Sequence, residues 1–240
     1  MRVKRSVSAL AKLLKGDSEV RWIVAERLAR RIHPQAVLGE REKYWTQDCE
    51  FLDHTGRLPI NARQLERLWL LDQASRSLAE LDGCFVECGT YKGASASFLC
   101  KNASPSRTVH VFDSWSGLSE PGSADGSYWQ AGDMKSGRDE AERVLSPYSN
   151  ACYHQGWIPE VLQTFEESSV AFIHLDLDLY APTLEALVFF WPHLVSGGMV
   201  ICDDSGFTTC PGARLAMRSF DFGDAKILDL PTGQTMVVKA

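Results

Sequence analysis

Two groups of aspartates have the type and position to share a charge. Asp176-Leu177-Asp178 follows the apolar run VAFIHL, and Asp203-Asp204 closes a second run, MVICDD. The interval between them fits one helix and one return strand, so in a parallel sheet the two ends become neighbours. Three or four of these carboxylates would then crowd like charges unless a cation sits among them. Oxygen-only ligands suit a hard divalent ion, Mg²⁺, Ca²⁺ or Mn²⁺, better than Zn²⁺. The competing explanation is that these acids cap the helices and turns that follow. It is stronger for Asp178, which is expected to point away from Asp176.

A second constellation ends an earlier run, in Glu87-Cys88-Gly89-Thr90-Tyr91-Lys92-Gly93, and continues through Ala94 and Ser95 into a helix. In a doubly wound sheet, ligands bind at the carboxyl ends of strands beside the point where strand order reverses. Gly89 and Gly93 would let backbone approach a ligand there, with Thr90, Tyr91 and Ser95 around it. Glu87 supplies a carboxylate for a ligand's ammonium group. Tyr91 stands where a dinucleotide fingerprint needs glycine, which argues against a pyrophosphate cradle. The next run, TVHVFD, ends in Asp113, about 20 residues beyond the glycine turn, the usual distance for an acid that accepts from ribose hydroxyls. Ser114 and Trp115 follow, and the indole either faces an adenine or packs on the sheet. For a proton acceptor, Asp176 is the first candidate and His154, at the end of the third run, the second. His174 lies inside a strand and reads as a satisfied core histidine.

The elements that must position these residues are legible as apolar runs alternating with helical patterns: 84–88, 108–113, 151–155, 170–176 and 199–204. That alternation is the signature of an α/β fold with a doubly wound parallel sheet. At the C-terminus, AKILDL and QTMVVK are separated only by Pro231, Thr232 and Gly233, too short for a crossover helix. They predict an antiparallel hairpin at one edge of the sheet. Helical spacing over about 6–32 and 61–80 predicts leading helices, whereas 33–61 reads as irregular structure or a lid. The basic, apolar N-terminus reads as an amphipathic helix covering the domain or a dimer partner, so a homo-oligomer is compatible with it. We divide the chain into an N-terminal helical or lid extension, 1–60, and a main domain, 61–240. A second cover is expected over Pro121–Gly137, rich in Gly, Ser and Asp, as a mobile segment.

Composition narrows the function classes. The 240 residues, 45% hydrophobic and 23% charged, are ordinary for a globular chain. A formal net charge of −6 argues against nucleic acid, which needs clustered Lys and Arg. No apolar stretch reaches the length of a membrane span. Seven cysteines without a C-x-x-C pair fit a reducing compartment, so a cytoplasmic location is expected.

With those residues in hand, the chain from about Leu58 to Ala240 resembles the macrocin O-methyltransferase family, metal-dependent sugar O-methyltransferases of antibiotic biosynthesis. The resemblance is carried by FVECGTYKGAS, VFDSWSGL, HLDLDLYAPTLEAL, SGGMVICDDSG, TCPGARLAM and LPTGQ. Many relatives have V-W-R-G-G where this chain has Thr90-Tyr91-Lys92-Gly93-Ala94, and D-D-Y where it has Asp203-Asp204-Ser205. The resemblance implies a seven-stranded, Rossmann-like class I methyltransferase sheet, S-adenosylmethionine as methyl donor, Mg²⁺ as metal and a sugar hydroxyl as acceptor. It implies that Glu87, Gly89 and Asp113 hold the donor, that Asp176, Asp203 and Asp204 hold the metal, and that Asp176 is the general base. A small-phenol, catechol-type O-methyltransferase would share those cofactor and metal residues and is the alternative.

Overall fold

The computed structural model describes residues 14–36, 43–60 and 64–240. The predicted helical run before residue 14 lies outside the described residues. Contacts divide the chain into two compact units, Met1–His54 and Thr55–Ala240.

In the first unit, α1 (Ser18–Ile32) is capped by Asp17, whose Oδ1 accepts from the Val20 amide at 3.0 Å. An i,i+4 pair, Glu26–Arg30 at 2.8 Å, braces its surface. None of its residues is buried. The 33–61 stretch, expected to be irregular, contains a 3₁₀ turn (Tyr44–Gln47) and a short helix, α2 (Cys49–Thr55). At under two turns, α2 is too short for a helical period to show in the sequence.

The second unit opens with α3 (Leu65–Ser77), then alternates β1 (Cys84–Cys88), α4 (Ala94–Asn102), β2 (Val109–Asp113), α5 (Arg138–Leu145), β3 (Ala151–Gln155), β4 (Val170–Leu175), α6 (Tyr180–Phe190), β5 (Leu194–Cys202) and α7 (Pro211–Ser219), before the hairpin β6 (Lys226–Asp229) and β7 (Thr235–Val238). The sheet order is β3-β2-β1-β4-β5-β7-β6, so it reverses between β1 and β4. Strands β1 to β5 pair parallel, whereas β7 runs antiparallel between β5 and β6. The expected α/β sheet with its C-terminal hairpin is therefore present. All of β1 and β4 is buried, as strands covered on both faces require.

On one face Phe112, Phe165 and Phe190 meet edge-to-face or tilted, with centroids 5.1–6.4 Å apart. Each contributes about 1.5–3 kcal/mol by leaving water. Arg107 ties the end of α3 to the sheet by donating to the carbonyls of Leu78, Ala79 and Leu81. This fixes where β1 begins, and with it the level at which the site residues emerge.

Candidate active site

Sheet register brings three chain segments to one level. Cys88 pairs with Leu175 and Leu175 with Cys202, so Gly89, Asp176 and Asp203 are the next residues of adjacent strands. Gly89 has φ +90°, and a Cβ there would lie 1.8 Å from the Asp176 carbonyl oxygen. Glycine is thus demanded first by the neighbouring strand, in addition to any ligand. Above this point opens a cavity of about 840 Å³, within the size of small-molecule sites.

One wall of the cavity is formed by Gly89, Thr90, Tyr91, Ser95, Asp113 and Ser114. Asp113 accepts from the Tyr91 amide on Oδ2 and the Trp115 amide on Oδ1, both at 2.6 Å. Burial raises its pKa, and those amides work against the rise. Trp115 does not line the cavity. Its Nε1 donates to the Tyr91 carbonyl at 3.0 Å, and Arg138 sits 5.6 Å over its ring, so it packs on the sheet and shapes the Tyr91 turn. Gly93, φ +83°, lies behind the wall as the N-cap of α4. Glu87 also stays out of the cavity: it is wholly buried, and its Oε1 is 3.0 Å from His174 Nδ1. One oxygen of the expected ammonium partner is therefore taken by a histidine directly opposite it in the β1–β4 register, while its Oε2 is buried without a hydrogen-bond partner.

His174 bridges two carboxylates, with Nε2 3.1 Å from Asp203 Oδ1. Burial alone would lower its pKa, but hydrogen bonds to Asp203 and Glu87 raise it well above the usual histidine value. It is a satisfied core histidine that carries charge. Asp203 also accepts from Arg67 on Oδ2 at 2.7 Å and from Gln234 Nε2 on Oδ1 at 2.6 Å. Burial would raise Asp203, yet His174 and Arg67 hold it below the ordinary carboxylate range.

The other acids lack such compensation. Burial and the charges of Asp204 and Asp203 drive Asp176 well above its usual pKa. Burial and Asp176 push Asp178 up to about 7, and burial with Asp178 and Asp203 pushes Asp204 up to about 8. All four line the cavity. Asp178 was read as facing away. Residues two apart share a face of a strand, so alternation itself puts Asp178 on the side of Asp176, and beyond the end of β4 at Leu175 its left-handed φ of +60° holds it at the rim. There its amide donates to Asp204 Oδ2 at 3.0 Å, and its Oδ1 accepts from the Cys210 thiol at 3.3 Å. Among the described residues, Asp178, Asp204 and Cys210 each bring a ligand atom within 4.8 Å of the others. Among the described residues the expected trio Asp176, Asp203 and Asp204 forms no such group, and Arg67, His174 and Gln234 hold Asp203.

His154, the second candidate base, is removed from the site. It is buried, stacks on Phe112 at 4.2 Å and faces His110 and Thr164 rather than the cavity. Burial and neighbouring His110 lower its pKa to about 4.

The Pro121–Gly137 segment does cover the cavity, with Tyr128, Trp129 and Met134 lining it. It is also tied down. Asp125 is buried, accepts from Gly122 N at 2.7 Å, and accepts on Oδ1 from the Tyr180 amide at 2.6 Å, at the first turn of α6. Gly212 of α7 lies against it: a Cβ there would fall 1.8 Å from Asp125 Oδ1. Trp129 Nε1 donates to Cys210 Sγ at 3.4 Å. Sequence reasoning passed over Arg67 and Cys210 and set Asp178 aside as a capping residue. The signal for Arg67 was a guanidinium beside the apolar positions Leu68 and Leu71 of α3.

A sheet that reverses between β1 and β4, with acids at the carboxyl ends of β2, β4 and β5 around one cavity, defines a doubly wound α/β enzyme. Similarity to the solved structure of the O-methyltransferase NovP narrows this to the methyltransferase fold: the TM-score is 0.65, with 21% identity over 79% of this chain and 88% of that one. The profile of the family described as Macrocin-O-methyltransferase (TylF) matches residues 60–232, and the chain belongs to that family of methyltransferases. The demethyldecarbamoylnovobiocin O-methyltransferase of Streptomyces niveus is 29% identical over 79% of this chain and 82% of its own length. An 8-demethyl-8-(2,3-dimethoxy-alpha-L-rhamnosyl)-tetracenomycin-C 4'-O-methyltransferase of Streptomyces olivaceus is 30% identical over 55% of this chain, and the match spans 56% of that relative's length. No helix among the described residues is long and apolar enough to cross a membrane.

Proposed function

We propose that the protein transfers a methyl group from S-adenosylmethionine to a hydroxyl of a sugar or glycosylated natural product, with Mg²⁺ as its metal. The observation that carries this reading is a single cavity with two unlike ends. One holds Gly89 and Asp113; the other holds four aspartates opposed by one guanidinium and one imidazole. The relative named for a rhamnosyl-tetracenomycin substrate supports the acceptor class. The seven cysteines, all free, suit the reducing cytoplasm.

Asp113 has lone pairs beyond those used by Tyr91 and Trp115, which suits it to ribose hydroxyls. Thr90 Oγ1 is buried without a hydrogen-bond partner and is a ready polar contact for the same ligand. The acid end fits a hard divalent cation on its chemistry: oxygen donors, excess negative charge and raised pKa values that a cation would lower. Asp176, Asp203 and Asp204 would hold it, Asp203 by exchanging Arg67 for the ion, with Asp178, already within ligand reach of Asp204, beside them. When bound, Mg²⁺ supplies Lewis acidity to an acceptor oxygen.

The chain's own residues supply alignment and a proton acceptor. Asp176, crowded by Asp203 and Asp204, has a heightened proton affinity and stands at the rim, so it is the group to take the hydroxyl proton as the methyl is transferred. Tyr128 and Trp129 cover the cavity and exclude water. The test is methyl transfer from labelled S-adenosylmethionine to a panel of glycosides and catechols, with Mg²⁺ or with chelator. Transfer to glycosides that chelation abolishes is expected. Activity confined to catechols, or undiminished in excess chelator, would overturn the acceptor or the metal respectively.

A further inference from the structure

A second cluster of ligating side chains lies outside the cavity, on one face of the β2–β3 edge. His110 pairs with Cys152 and Phe112 with His154 in the parallel register. Residues 152 and 154 share a face by strand alternation, so one thiol and two imidazoles meet. His110 Nδ1 is 2.9 Å from His154 Nε2, and Cys152 Sγ is 3.5 Å from the same Nε2. One atom from each residue lies within 4.8 Å of the other two.

The proton positions follow from the neighbours. The Thr164 hydroxyl donates to the Val161 carbonyl at 2.7 Å, so toward His154 it acts as acceptor, and His154 Nδ1 carries the proton of their 2.6 Å contact. The 2.9 Å approach of the imidazoles has room for one proton, which His110 Nδ1 donates to a bare His154 Nε2. His110 Nε2 is then left buried and without a hydrogen-bond partner, 3.9 Å from Glu167 Oε1. An imidazole whose far nitrogen is fixed by a hydroxyl, and a second whose far nitrogen faces a carboxylate, form the outer-shell arrangement of metal-binding histidines.

We propose that His110 Nδ1, His154 Nε2 and Cys152 Sγ form a site for a borderline-soft divalent ion of the Zn²⁺ type, separate from the acids of the active site. In a tetrahedral Zn²⁺ site the S···N separation is about 3.6 Å and the N···N separation about 3.3 Å, so the sulfur already stands at ligand spacing from His154 and the imidazoles must part by roughly 0.4 Å. Binding releases the Cys152 proton to solvent and moves the His110 proton from Nδ1 to Nε2, giving that orphaned nitrogen a proton to offer Glu167. One proton leaves per ion bound. Cys152 is partly exposed, so the ion has an entry path and water can take the fourth position. The ion would clamp the edge strand β3 to β2.

The experiment uses the full-length, metal-stripped protein with Co²⁺ as probe, in excess Mg²⁺ to occupy the oxygen-ligand acids. Thiolate-to-cobalt charge transfer with tetrahedral d–d bands should saturate at one equivalent, release one proton, and be bleached by Zn²⁺. Thr164→Val should weaken Co²⁺ binding about tenfold without changing the spectrum. Cys152→Ser, with folding checked by circular dichroism, should abolish the charge-transfer band, whereas Cys210→Ser should keep it. Absence of the bands in the wild type, their survival in Cys152→Ser, or their loss in Cys210→Ser alone would overturn the site. None of these readouts depends on methyl transfer, so failure here leaves the proposed activity standing.

Discussion

Arg67→Met should test how the acid cluster is balanced. The Arg67–Asp203 pair has Nη1···Oδ2 at 2.7 Å, with the side chains 20% and 6% exposed. Removing one member of a largely buried pair costs about 3–5 kcal/mol, because the other charge is left uncompensated. Asp203 keeps His174 and Gln234, so the lower end, about 3 kcal/mol, applies. At roughly 2–4 °C per kcal/mol for a chain of this size, the melting temperature in chelator should fall by roughly 6–12 °C. Methionine retains most of the aliphatic packing, so the loss reports charge. Saturating Mg²⁺ should recover much of it and bind more tightly than to the wild type, since the guanidinium no longer competes for Asp203. Differential scanning fluorimetry with and without Mg²⁺ measures both effects. An unchanged melting temperature in chelator, or one that Mg²⁺ leaves equally depressed, would refute the charge argument.

Asp178 and Asp204 have folded pKa values raised to about 7 and 8, so above the unfolded carboxylate range the native state holds more protons than the unfolded one. Stability in chelator should therefore fall as pH rises, with Asp176 and His174, whose folded values are also raised, adding to the fall. The window from about pH 6.5 to 8 excludes His110 and His154, which, with folded values lowered to about 4, act in the opposite sense only below their unfolded value. Melting curves with Mg²⁺ should be flatter, and a rise over that window in chelator would contradict the assignment. Gly89→Ala should yield little soluble protein, because its Cβ meets backbone, whereas Gly132→Ala, φ +84° with nothing within 4 Å, should lose only roughly 1–2 kcal/mol in a denaturant titration. Asp176→Asn should lower kcat by about 10²–10⁴-fold, while His154→Asn should hold kcat/KM within a few-fold; the reverse pattern would return the base to His154.

The strands were legible because buried parallel strands read as apolar runs, and β1 and β3 fall where the runs were drawn. The short helix α2 has no such period. At the site, strand ends located Asp113, Asp176, Asp203 and Asp204 correctly around one cavity, since register alone brings neighbouring ends together. Side-chain commitments were a different matter. Glu87 ends up on His174, which pattern cannot foresee because the partner lies on another strand and face alternation gives only a side, not a bond. Asp178 was misjudged because residues two apart share a strand face, so alternation favours rather than opposes its meeting Asp176, and Arg67 was missed because its acidic partner, just beyond β5, is distant in sequence. His154 was placed correctly at a strand end yet on the face away from the cavity, where Phe112, His110, Thr164 and Cys152 claim it.

Asp125 joins the cover, the first turn of α6 and Gly212 of α7 at a single carboxylate. The loop that shapes acceptor access is therefore not an interchangeable part. A chimera that imports a relative's cover without its aspartate would leave the Tyr180 amide unsatisfied, and one that places any side chain at position 212 would drive a Cβ into the space Asp125 occupies. Altered acceptor choice should consequently be sought by exchanging 121–137 together with the 210–212 turn, so that the aspartate and the glycine travel as a pair.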